Sequence, residues 1–173
     1  MGYGELVKIV EDVVGVYYAY VVGVVAGGRL LVRSNAGGAN AAWVVDLATG
    51  EGRRLTDRPV YWLVEPPVGA SRVVYSRDVS GGRELQLLYV TDVERGGEEP
   101  LVSMEPLRIV SIVDVGDGVV FTGATMEDMA IYMARRGSVE KIYKLPALAV
   151  VTDVAGNLAV GFGMFKSARS QEL

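Results

Sequence analysis

Short apolar runs, each introduced by a turn, recur along the chain at a nearly constant interval. "GRLLVRSN" begins at Gly28, "SRVVYSRD" at Ser71, "DGVVFTGA" at Asp117 and "GNLAVGFG" at Gly156. The second residues of these runs, Arg29, Arg72, Gly118 and Asn157, lie 43, 46 and 39 positions apart. A second series follows in phase: "AAWVVDL" (41–47), "LQLLYVTD" (85–92) and "MAIYMAR" (129–135). A more polar stretch comes next, "GRRLT" (52–56), "PLVSM" (100–104) or "VEKIYKL" (139–145). Then come Pro59, Pro106 or Pro146 and a last apolar run, "VYWLV", "RIVSIV" or "LAVVTDV". Four strands over about 40–45 residues is the period of a β-propeller blade. Prolines fit the exit from an outer edge strand, where no ladder donor is needed. Gly-Gly at 27–28, 37–38, 81–82 and 96–97, with Asp117-Gly118, is expected to supply the positive-φ turns of hairpins.

The pattern predicts an all-β fold, a propeller-like array of about 3.5 four-stranded blades in one domain over 1–173. The blades span 15–57, 59–104 and 106–145, followed by a half blade at 146–165 and a tail at 166–173. A short helix is expected at 5–14, where "ELVKIVEDVV" sets Leu6, Ile9, Val10 and Val13 on one face as a docking surface. The half blade leaves an edge of unpaired backbone groups, a template for strand addition. Leu158, Val160, Phe162, Met164 and Phe165 are the candidate self-association residues, and a homo-oligomer, with a dimer favoured, is the expected state.

Composition narrows the chemistry. The chain has no His and no Cys among its 173 residues. A Ser-His-Asp or Cys-His mechanism lacks its imidazole, and thiolate or imidazole metal sites lack their ligands. No catalytic residue, metal site or cofactor is expected. A net charge of −4 argues against nucleic acid, and Arg53–Arg54 and Arg135–Arg136 read as solvated residues. The uncharged run 13–26 is shorter than the ~20 residues of a spanning helix and holds Gly15 and Gly23, so no membrane partner is expected. A cytoplasmic location is the expectation. Asp78, Asp114, Asp117 and Asp153 lie near strand ends and could serve a carboxylate enzyme, yet turn chemistry suits aspartate there better. Trp43, Trp62, Met126, Met129 and Met133 read as core.

Three segments carry a resemblance. "YSRDVSGG" (75–82), "PLRIVSIVDVGDGVVFTGAT" (106–125) and "VVTDVAGNLAVGFGMF" (150–165) resemble the propeller domain of archaeal acylaminoacyl peptidases, of the prolyl oligopeptidase family. The likeness runs from about Glu5 to Phe165 and covers the first half of that propeller. It implies a seven-bladed propeller capping an α/β-hydrolase domain that removes N-acylated residues from short peptides. The propeller restricts access, and the segment 5–14 would be the helix on the hydrolase side. A separate α/β-hydrolase domain is therefore one partner to consider. The family's G-x-S-x-G elbow has no counterpart, since "VRSNAGG" and "DVSGG" lack its first Gly. The resemblance thus implies a non-catalytic, gating module. A stand-alone binding or assembly protein is the alternative, and a carboxylate enzyme a weaker one.

Overall fold

The computed structural model describes residues 17–135, 137–156 and 158–163. Among them are fourteen strands in four antiparallel sheets, each a meander of sequence neighbours. The first sheet holds β1 (Ala19–Val25), β2 (Arg29–Ser34), β3 (Ala41–Val45) and β4 (Gly52–Arg54). The second holds β5 (Trp62–Leu63), β6 (Arg72–Asp78), β7 (Gln86–Asp92) and β8 (Gly96–Pro100). The third is built from β9 (Arg108–Asp114), β10 (Gly118–Ala124), β11 (Met129–Arg135) and β12 (Ser138–Leu145). Only β13 (Ala149–Ala155) and β14 (Leu158–Gly163) make up the fourth. The array is all-β and propeller-like, with about 3.5 blades. The helix expected at 5–14 lies outside the described residues.

The repeated second strand is the heart of each complete sheet. β-branched and aromatic residues suit a pleated surface packed on both faces. Val73, Val74 and Tyr75 of β6 and Val119, Val120 and Phe121 of β10 are all buried. Between the second and third sheets, Val74 and Leu88 meet Phe121, Ala130 and Tyr132; between the first and second, Leu31 and Val44 join Val73 and Val93. Full burial of one such side chain contributes about 1.5–3 kcal/mol.

Polar staples join neighbouring sheets. Gln86, fully buried, accepts the Ser76 hydroxyl proton at 2.6 Å and donates to the Ile109 carbonyl at 3.2 Å. Trp62 Nε1 donates to the same carbonyl at 3.0 Å. Arg53, expected to be solvated, instead donates to the Val93 carbonyl across the first interface. Arg54 turns back to the Thr56 carbonyl at 2.6 Å.

Three further expectations are corrected. The fourth strand of the second sheet is Gly96–Pro100, not 100–104. Gly96 and Gly97, with φ of 68° and 84°, close the hairpin at once, so the polar stretch "GGEEP" pairs with β7. Leu101 and Met104 pack against the core beyond it, beside buried Val102. Gly118 is strand rather than turn, the positive φ falling on Gly116. A Cβ on Gly118 would stand 2.3 Å from the Ala134 carbonyl oxygen, and this close approach is what requires glycine. Met126 is fully exposed where Thr125 and Asp128 close a turn, whereas Met129 and Met133 are half-buried in β11.

Candidate functional site

Among the described residues β14 pairs with β13 alone, so its other edge carries unpaired backbone groups. Side chains alternate along a strand, which puts Leu158, Val160 and Phe162 on one face with Val150, the cross-strand partner of Phe162. These three are 63, 52 and 47% exposed. The strand "LAVGFG" has neither the charge nor the proline that blunts natural edges. Met164 and Phe165, and the docking residues Leu6, Ile9, Val10 and Val13, lie outside the described residues.

A cavity of about 430 Å³ opens beside this strand. Thr122, Ile131, Tyr143 and Leu145 line it from the third sheet, and Val151, Val160 and Gly161 from the half sheet. The half sheet is anchored at its inner strand, where Val151 N–H donates to the Ser111 hydroxyl at 3.0 Å. Farther out, Ile131 is half-buried and Tyr143 exposed. Thr122 Oγ1 is buried without a hydrogen-bond partner among the described residues. An orphaned hydroxyl, exposed apolar side chains and a free strand edge together make a place for further chain.

Each of the four aspartates is engaged in its own locality. Asp78 accepts the Ser80 hydroxyl and amide at 2.6 Å and the Gly82 amide at 2.8 Å, folding loop 78–84 around its carboxylate. The Ser80 hydroxyl, then the backbone amides, hold its carboxyl below the usual range. Asp114 accepts from Gly116 N at 2.7 Å, Asp153 from Val154 N at 2.7 Å, and Asp117 pairs with Arg135 at 3.1 Å. These are turn and surface roles.

A second hollow, of about 570 Å³, lies between the first two sheets and is lined by Asn40, Arg58, Tyr61, Arg77, Asp78 and Tyr89. Its wall is a cluster that sequence reasoning missed. Arg77 pairs with Glu98 at 2.8 Å, and Glu98 also accepts the Asp57 amide proton at 2.7 Å. The only hint in the chain is the odd "GGEE" that turned out to be a strand. Trp43 is half-buried and Trp62 is 39% exposed on an inner strand, so neither is wholly core. Among the described residues no group of three or more His, Cys, Asp or Glu could hold a metal, and no helix is long and apolar enough to cross a membrane.

The sequence model of one protein family, acylamino-acid-releasing enzyme-like N-terminal domain, matches residues 31–173. Among solved structures, TolB from Acinetobacter baumannii matches 84% of this chain with a TM-score of 0.58 and 14% identity. A puromycin hydrolase mutant complexed with PGG matches 78% with a TM-score of 0.52 and 15% identity. The chain spans 40% of the first protein and 23% of the second. At these identities the two structures speak for the fold.

Proposed function

The chain belongs to the acylamino-acid-releasing enzyme-like N-terminal domain family, and from that premise we propose that it is a non-catalytic, access-restricting propeller module. In this reading it does no chemistry of its own, works in the cytoplasm beside an α/β-hydrolase domain, and associates with a second copy by strand addition at its open edge. The absence of His and of a nucleophile elbow supports the first part. A family described as the N-terminal domain of an acylamino-acid-releasing enzyme is what favours a hydrolase beside it.

The observation that carries the reading is the half-built fourth sheet. Among the described residues three sheets have four strands each and the fourth has two, with an uncharged apolar strand whose outer edge has no partner there. Such an edge is a template for pairing with another chain. Light scattering of the full chain at micromolar concentration should give a dimer or larger assembly. A folded monomer would overturn the self-association.

A further inference from the structure

The complete sheets show what lies opposite the second strand of a blade. Val32 pairs with Trp43, Tyr75 with Tyr89 and Phe121 with Tyr132, so the third strand sets an aromatic residue at this place each time. The last two pairs stack, with ring centroids 5.8 and 5.1 Å apart. Aligning "GNLAV" with "DGVVF" puts Val160 of β14 at the corresponding position. Opposite Val160 there is no third strand among the described residues, and the cavity it shares with Thr122, Ile131 and Tyr143 takes its place.

The third sheet restricts what can enter. Two copies of β14 paired antiparallel would be related by a two-fold axis perpendicular to the joint sheet. That symmetry keeps both third sheets on the same face of the joint sheet. Each has Ile131 and Tyr143 reaching out over the space beside β14, which the other copy would also fill. Both would need that space, whereas a strand free of its own sheet, one lent by a second copy included, would not.

We propose that the slot beside β14 is a strand-addition site for a single extended peptide with alternating apolar residues and an aromatic residue opposite Val160. The N–H and C=O groups of β14 that have no partner among the described residues select a peptide backbone, and the cavity selects the side chain, which is the logic of β-augmentation. An uncharged edge favours a segment without net charge. The orphaned Thr122 hydroxyl favours tyrosine over phenylalanine, because it offers a buried hydrogen bond. The inference rests on the reading that this edge takes up a further strand, and it names the kind of strand.

The probe is a fluorescein-labelled peptide of residues 128–135, which carries Tyr132 in the pattern of a third strand. Anisotropy with the full chain should show saturable binding. Two further peptides, N-methylated on the two alternate sets of amides, should differ: one binds like the parent and the other binds at least about tenfold more weakly, since only one set faces β14. Val160→Asp in the full chain should weaken the parent peptide by a similar factor with an unchanged circular dichroism spectrum. No binding, equal binding of both methylated peptides, or an indifferent Val160→Asp overturns the proposal. A slot that is already occupied in the full chain shows as no binding and counts against it. A monomer that binds the peptide keeps this inference and removes self-association; a dimer that does not bind it does the reverse.

Discussion

Arg77 lies over the ring of Tyr89, its guanidinium carbon 3.8 Å from the ring centroid. The same guanidinium pairs with Glu98, and both side chains are almost seven-eighths buried, at 12 and 13% exposure. Removing one partner of such a pair leaves a charge without compensation, and losing the cation–π contact adds to the cost. Arg77→Ala should therefore destabilise the fold by about 3 kcal/mol. Urea unfolding monitored by tryptophan fluorescence measures it, and a loss within error of zero would contradict the buried character of the pair.

Asp78 makes stability depend on pH in a direction that its hydrogen bonds fix. Its carboxyl is held below the usual range, first by the Ser80 hydroxyl and then by backbone amides of its loop. The ionised form is thus favoured in the folded state. Its contribution is complete above the ordinary aspartate value of about 3.9 and disappears as pH falls through the lower folded value. Asp78→Asn should flatten the acid limb of the melting-temperature profile and leave its slope near neutrality unchanged. Asp92 and Asp128 are shifted the same way, by the amides of Arg95 and Glu94 and by Lys141, so part of the limb should remain.

How much of this was legible in the chain follows from the range over which each signal acts. The spacing of Arg29, Arg72, Gly118 and Asn157 is a local signal repeated four times, and it is enough for the sheets and their number. Gly-Gly 27–28, 37–38, 81–82 and 96–97 all have the positive φ expected of them. Contacts between sheets are another matter. Arg53 reaches Val93, and Gln86 reaches Ile109, only once two sheets are stacked, and no period within either segment encodes that. The fourth strand was expected at 100–104 rather than at "GGEEP", because Glu98 finds its partner, Arg77, two strands away. The alternation that puts Leu158, Val160 and Phe162 on one face of β14 was legible in the last repeat. The cavity beside it was not, because it depends on how far the third sheet reaches outward.

The chain alone should not hydrolyse acetyl-amino-acid nitroanilides. It contains no His, and Asp78, Asp114, Asp117 and Asp153 are each bound up in separate turns or pairs. Release of nitroaniline at the rate of buffer is the expected result. Turnover that follows the protein through every purification step and survives serine-protease inhibitors would show an active site that these residues do not provide.

Phe121 and Phe162 each belong to the second strand of a sheet, yet they should respond to substitution in opposite ways. Phe121 is fully buried and stacked on Tyr132, whereas Phe162 is 47% exposed on the free edge strand. Phe121→Ala removes a ring from a close-packed interface between sheets and should cost about 3–5 kcal/mol. Phe162→Asp removes little packing but adds a charge to an uncharged edge, which is how natural sheets discourage pairing. It should leave the urea midpoint of the dilute protein almost unchanged and shift the light-scattering mass at micromolar concentration towards the monomer. If Phe162→Asp instead unfolded the chain as Phe121→Ala does, the edge would be core. If it changed neither stability nor mass, association would have to proceed through another surface.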